Sequence, residues 1–305
     1  MRKRLKVVLA FLLAVCAVFA LAACGPSSAS DDKYHSELTG TSVSPFPDSA
    51  LSHEWQLYGE AQSDGYTGTF MEFLREIEYT VSDDTAAIHS ALTSAVCIES
   101  VFGTGSSASY SLGAGVIYSL NKSKGDAYIV TNYHVVYGKN RSGKYGLANE
   151  IEVYLYGGYV SSRAVTATFY GGEMNYDIAV LKVSSSSVLR NSYAAAAKIE
   201  HEKVTAGERV YAIGNPNGEG FSVTGGVVSV PYETIDVMSA DDTHLIELPE
   251  IRIDANINHG NSGGGLFNAN GELVGIVNAR GESEDFLGYA IPMETVSEVL
   301  ARVLQ

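Results

Sequence analysis

Residues 95–292 are predicted to fold as an all-β structure, a sandwich or a pair of barrels. Three observations carry that prediction. The apolar residues come in about a dozen short runs, each cut off by Gly, Asn or Ser, the pattern of strands joined by tight turns. The chain holds 31 Gly and 19 Tyr, with abundant Ser and Val, a composition that favours strands and turns over helices. And the runs fall into two groups of six, separated by four serines at 184–187 and a polar, Ala-rich stretch.

The first group comprises 95–102, 113–120, 126–132, 151–156, 164–170 and 177–183. The second comprises 209–214, 222–230, 244–253, 264–268, 273–279 and 286–291. Helices are expected only at the edges. Residues 84–94 follow Asp83 and Asp84, either of which can cap a helix. Residues 293–304 place Val296, Val299, Leu300 and Val303 on one face behind Pro292. Phe70, Phe73, Leu74 and Ile77 form a shorter stripe at helical spacing. No repeat of 20–50 residues is visible.

The N-terminus reads as an address. Arg2, Lys3, Arg4 and Lys6 precede an unbroken apolar run at 7–23, a charged region followed by a hydrophobic one. The run ends in Leu21-Ala22-Ala23-Cys24, which resembles a bacterial lipoprotein box with Cys24 as the lipid-bearing residue. Two alternatives stay open: ordinary cleavage near Ala20-Leu21-Ala22, and a retained membrane anchor, for which 17 residues is short. Residues 25–52, rich in Ser, Asp, Thr and Pro, read as a linker.

Charge and cysteine content exclude several function classes. The formal net charge is −15, and it becomes −19 without residues 1–23, which argues against nucleic acid as a partner. Residues 24–94 hold 12 acidic and 2 basic side chains, so attachment to an anionic bilayer would come from acyl chains and not from surface charge. Three cysteines cannot build a disulfide scaffold or a four-thiolate metal site. With Cys16 removed and Cys24 modified, Cys97 is a lone thiol, expected to pack inside a strand.

The sharpest local feature is Asn258-His-Gly-Asn-Ser-Gly-Gly-Gly-Leu266. Glycines there let the backbone turn tightly, and successive N–H groups can converge on one point, as an oxyanion requires. Gly260-x-Ser262-x-Gly264 also matches a nucleophile elbow, but in that arrangement the histidine follows the serine, and no His occurs after 262. A base must therefore come earlier. Of His35, His53, His89, His134, His201, His244 and His259, only His134 closes a long apolar run, Ala127-Tyr-Ile-Val-Thr-Asn-Tyr-His-Val-Val136, where a sheet can hold it firmly. Asp177 opens another such run and fits the carboxylate that orients an imidazole. The order His134, Asp177, Ser262, with spacings of 43 and 85 residues, is one of three known for such a triad.

The contexts Thr131-Asn-Tyr-His-Val-Val136, Tyr176-Asp-Ile-Ala-Val-Leu-Lys182 and Gly260-Asn-Ser-Gly-Gly264 resemble the HtrA (DegP-like) branch of the trypsin-like serine proteases. So do Gly113-Ala-Gly-Val-Ile117, Gly214-Asn-Pro216, Asp254-Ala-Asn-Ile-Asn258 and Gly288-Tyr-Ala-Ile-Pro292, all in order from about residue 86 onward. The resemblance implies two six-stranded antiparallel β-barrels with a cleft between them, barrel 1 at about 95–190 and barrel 2 at about 200–292. Together with the N-terminal reading, it divides the chain into a signal segment at 1–23, an acidic tether at 24–85 and a protease domain at 86–305. Ser262 would be the nucleophile, His134 the base and Asp177 its orienting acid. Gly260, Ser262 and Asn261 would supply the oxyanion hole. Polypeptide substrate would pair along Val277, Asn278 and Ala279, with uncharged Asn256 at the base of the first pocket and Tyr289 narrowing it. No metal or organic cofactor is implied. HtrA-like proteases are commonly trimeric, so a homo-trimer is one assembly the resemblance implies, while the lipid anchor on the outer face of the cell membrane rests on the reading of Cys24.

Several positions depart from the family pattern. Gly265 stands where Pro is usual, Ala114 where Ser is common, and His259 where Pro or Lys is usual. The acidic segment 233–250 looks long enough to cover the cleft. With the last helix expected at 293–304, no peptide-binding PDZ domain of the kind typical of the family is expected after it. A peptide-binding or chaperone-like module on the same fold is the alternative function, and a zymogen controlled by 25–85 a third.

Overall fold

The structure, a computed structural model, describes residues 61–63, 65–68, 83–156, 164–218, 220–278 and 287–305; all lie within the unit Ser42–Gln305. The leader, Cys24, the linker, the stripe at 70–77 and Ala279 lie outside the described residues.

Two closed barrels make up the fold. In the first, β1 (Ala95–Phe102), β2 (Ser109–Asn121), β3 (Asp126–Asn132), β6 (Glu150–Leu155), β7 (Val165–Glu173) and β8 (Ile178–Val183) close in the order β1-β2-β3-β8-β7-β6. In the second, β10 (Arg209–Gly214), β11 (Ser222–Met238), β12 (Leu245–Ile253), β13 (Gly265–Asn268), β14 (Glu272–Asn278) and β15 (Gly288–Pro292) run in the order β13-β10-β11-β12-β15-β14, and β14 pairs back with β13. All of these barrel pairings are antiparallel.

The expected strands β1, β3 and β10 have the predicted ends, and most others differ by a few residues. Three short strands were not anticipated. The hairpin of β4 (Tyr137–Lys139) and β5 (Tyr145–Leu147), and β9 (Lys198–Ile199), parallel to β14, are two or three residues long. Runs that short carry no periodicity. The larger difference is at 233–250. The acidic residues there continue β11 and β12 as one long hairpin, with Thr234 opposite Pro249 and Met238 opposite Leu245. Its tip leans on barrel 1, where Tyr145 Oη donates to Asp242 and His244 Nε2 lies 3.3 Å from Asn175 Oδ1.

Each strand's alternation divides its apolar residues between two cores. On β8, Ala179, Leu181 and Val183 point into barrel 1, whereas Ile178 and Val180 point out of it. Those outward residues join Val116, Val130, Ile213, Phe267, Leu273 and Ile276 in a core between the barrels. Both faces are buried, which is why Ile178-Ala-Val-Leu181 reads as a continuous apolar run. Barrel 2 has its own interior of Val210, Val228, Ile253, Leu266 and Val277.

Two helices seal the seam. α1 (Asp83–Leu92) contributes Ile88 and Leu92 to the shared core. Its first turn is tied to barrel 2, where Arg209 pairs with Asp84 and Tyr211 Oη donates to Asp84 Oδ2 at 3.0 Å. The pair with Arg209 holds the Asp84 carboxyl below its ordinary value, with Tyr211 adding to the effect. Two one-turn helices, α2 (Tyr133–Val136) and α3 (Ser187–Arg190), follow β3 and β8. α4 (Met293–Val303) leaves barrel 2 and buries Val296, Val299 and Leu300 in the same core, while Arg302 reaches Glu173 of barrel 1.

Phe267 is fully buried in this shared core. Phe267→Ala is expected to cost about 3–5 kcal/mol of unfolding free energy. Urea titration measures it, and a loss below about 1 kcal/mol would contradict the packing described.

Candidate active site

Strand register brings His134 and Asp177 together. Asn132 ends β3 and pairs with Ile178, the first residue of β8. The chain after Asn132 and the chain before Ile178 are therefore neighbours. After Asn132 the backbone turns into α2, so His134 sits on one helical turn and not on the strand end itself. Before Ile178, Asp177 closes a 3₁₀ turn (Met174–Tyr176) with φ 48° and ψ 36°, a left-handed conformation that Asp tolerates better than most residues.

That conformation turns both the carbonyl and the carboxylate of Asp177 toward residues 132–134. The His134 N–H donates to Oδ1 at 2.9 Å, and His134 Nδ1 lies 2.6 Å from Oδ2. The Tyr133 N–H donates to the Asp177 carbonyl at 3.0 Å, and Asn132 Nδ2 donates to the same oxygen at 3.1 Å. The Asp177 side chain is 1% exposed and that of His134 16%. A carboxylate bound to Nδ1 keeps the proton there and leaves Nε2 free to accept one.

Ser262 comes from barrel 2. Its loop is fixed on the barrel side by bonds from Gly263 N to Val277 O (2.9 Å) and from Val277 N to Gly264 O (2.8 Å). It is fixed to barrel 1 by the Ala114 N–H, which donates to Ser262 O at 2.9 Å. Gly113, next to Ala114, lies between the histidine and serine segments. A Cβ there would stand 2.7 Å from Val135 Cγ1 and 3.2 Å from Ser262 O. Only a residue without a side chain lets α2 and the Ser262 loop approach this closely. Ser262 is buried at 7% exposure.

The three residues expected at the oxyanion hole differ in how their N–H groups are bonded. The Asn261 N–H closes a turn onto Asn258 O at 3.0 Å, so it is engaged within the loop. Among the described residues, the N–H groups of Gly260 and Ser262 donate to no other group. Gly260 has φ +94°, and a Cβ there would lie 2.0 Å from Asn215 O. The loop is braced from behind, since the Asn215 N–H donates to Gly260 O and the Asn217 N–H to His259 O.

Of the expected substrate residues, Val277 and Asn278 end β14, paired with Ala290 and Tyr289 of β15. Tyr289 is half-buried, Asn256 and His259 are exposed, and Ala279 lies outside the described residues. A cavity of about 220 Å³ under α1 and one of about 300 Å³ beside the β4–β5 hairpin include none of His134, Asp177 and Ser262.

Sequence reasoning missed three supporting residues. Asn132 and Asn215 stood inside quoted motifs without a role. Glu250 is fully buried on β12, in line with Ile246 and Leu248, which pack on Val237, and opposite in parity to Ile251 and Ile253 of the barrel interior. A charge falling on that alternation was the signal that could have found it.

With this geometry in view, comparison with known proteins is decisive. The model of the trypsin-like peptidase domain matches residues 113–276, over half of the chain. The chain belongs to the trypsin-like peptidase family. Its relatives within the family are of the HtrA type. It is 39% identical over 197 residues to the Bacillus subtilis serine protease Do-like HtrB, covering 63% of this chain and 38% of that protein. It is 34% identical over 200 residues to the Lactococcus lactis serine protease Do-like HtrA, covering 63% and 44%. The chain thus spans about two fifths of the length of these curated relatives. Among solved structures, the serine endoprotease from Yersinia pestis superposes with a TM-score of 0.54 at 27% identity, covering 74% of this chain and 68% of that one.

Gly260→Ala combines a positive φ with a backbone clash. It is expected to lower the thermal midpoint by at least about 2 °C. An unchanged melting curve would contradict the bracing of this loop by Asn215.

Proposed function

We propose that the chain is a serine endopeptidase that hydrolyses peptide bonds of unfolded or exported polypeptides, anchored outside the cytoplasmic membrane by a lipid on Cys24. The observation that carries the enzymatic part is the paired bonding of His134 to Asp177, with Ser262 tied to the neighbouring strand of the same barrel. The similarity to proteins named serine proteases supports it, and the hydrophobic leader ending at Cys24 motivates the anchor.

The chemistry then runs as follows. Ser262 Oγ attacks the carbonyl carbon of the scissile peptide while His134 Nε2 takes the hydroxyl proton. Asp177 holds the ring and stabilises the imidazolium that forms. The negative oxygen of the tetrahedral intermediate accepts from the N–H groups of Gly260 and Ser262. The C–N bond breaks as His134 returns the proton to the departing amine, leaving an ester on Ser262. Water, deprotonated by His134, attacks the ester, and the acid product leaves with Ser262 Oγ reprotonated. Substrate lies extended beside the end of β14 at Asn278, backbone to backbone, since the N–H and C=O of Val277 are already bonded to the Ser262 loop. Asn256 and Tyr289 carry no charge to the first pocket, which suits small or medium aliphatic side chains and not Arg or Lys.

A fluorophosphonate probe is expected to label the wild type and not Ser262→Ala; equal labelling of both would refute the nucleophile. Asp177→Asn is expected to cut kcat for casein by about 10⁴-fold at neutral pH, and a loss under about tenfold would refute the orienting role. Labelled fatty acid fed to producing cells should enter the wild type and not Cys24→Ala; label in both would refute the anchor.

A further inference from the structure

Glu250 is a buried acid that the mechanism does not use. It lies in barrel 2 at 0% exposure. Its Oε1 accepts from Asn278 Nδ2 at 2.8 Å, while Oε2 is buried without a hydrogen-bond partner among the described residues. β12 packs against the 3₁₀ turn that carries Asp177. Asn278 is the last residue of β14, the strand proposed to receive substrate.

We propose that Glu250 is a positioning residue that works as a neutral acid, tying the end of the substrate strand to the back of the Asp177 turn, and that its ionisation disables the site. The reading rests on the peptidase function proposed above.

The surroundings fix the sign. Burial pushes the Glu250 carboxyl well above its ordinary range; the Asn278 N–H pulls it back, and the charges of Asp177 and Glu233 push it further up. Glu233 faces it across β11. Arg252, two residues along β12, lies at ion-pair distance from Glu233, with Nε 3.3 Å from Oε1 and no hydrogen bond between the two atoms. From β15 the titratable neighbour is Tyr289, paired with Arg252 and Asn278. From the turn there are Tyr176 and Asp177, the latter bonded to His134. Apart from Arg252, no fixed cation stands among these groups to stabilise a second carboxylate, so the proton stays on Glu250. Losing it would set two buried anions against one another behind the histidine.

The folded chain therefore holds a proton that the unfolded chain releases near the ordinary value of 4.5. This contribution to stability is complete below that pH and is lost as pH rises through the folded value.

The test is kcat/KM for fluorescein-labelled casein from pH 6 to 10, with thermal melts over the same range, on wild type, Glu250→Gln and Glu250→Leu. Glu250→Leu removes the acceptor that Oε1 offers the Asn278 amide and should lose about tenfold or more at every pH. Glu250→Gln, neutral and of the same shape, should rescue activity at pH 6 to within about twofold of wild type, and should hold it toward alkaline pH where wild type declines. Its melting temperature should exceed that of wild type by a margin that widens with pH. Equal alkaline behaviour of wild type and Glu250→Gln, or a Glu250→Gln protein inactive at pH 6, would overturn the proposal. A wild type that takes no fluorophosphonate label at pH 6 would instead refute the peptidase reading on which it rests.

Discussion

Everything in the site hangs from one residue in an uncommon conformation. Asp177 occupies the left-handed region, and that single fact points its carbonyl and its carboxylate at the same three residues. Four contacts result, to Asn132, Tyr133 and both the backbone and the ring of His134. A histidine held through its ring alone could pivot. One held also through its own N–H and that of its neighbour cannot, and its free nitrogen is aimed by the backbone. The cost of the unusual φ, of order 1–3 kcal/mol, is offset by these buried bonds.

The second constraint is that the two halves of the site belong to different barrels. Their relation is set by packing, through the shared core of Phe267, Ile276, Val130 and Val180, with α1 and α4 bridging the seam. Polar ties then fix the last few ångströms. The Ala114 N–H reaches Ser262, and Gly113 clears the space between the serine loop and α2. Glu250 fits the same logic, a buried polar group at the seam whose worth lies in where it holds Asn278.

Much of this was legible in the sequence because burial leaves a periodic trace. Strands such as β1, β3 and β10 end where Gly, Asn or Ser interrupt an apolar run. The pairing of His134 with Asp177 was readable because both sit at the ends of such runs. The continuation of β11 into the 233–238 segment was not. There Ile235 and Val237 alternate with exposed Thr234, Asp236 and Met238 and pack with Ile246 and Leu248 in a small cluster of the hairpin, an alternation too short to tell a strand from a loop. α2 was hidden for a similar reason, since one turn of helix built from Tyr133-His-Val-Val136 has β-branched residues that read as strand. The role of Asn215, bracing Gly260 through its own backbone, depends on a contact across 45 residues of chain. No local pattern encodes that.

The bond between His134 and Asp177 is the centre of the account, and proton NMR observes it directly. A short hydrogen bond from an imidazole N–H to a buried carboxylate deshields its proton strongly and shields it from exchange with water. One such far-downfield resonance is expected in the folded wild-type protein, absent from His134→Ala and moved upfield in Asp177→Asn. A folded wild type without that resonance, or one that keeps it after Asp177 is replaced, would contradict the account.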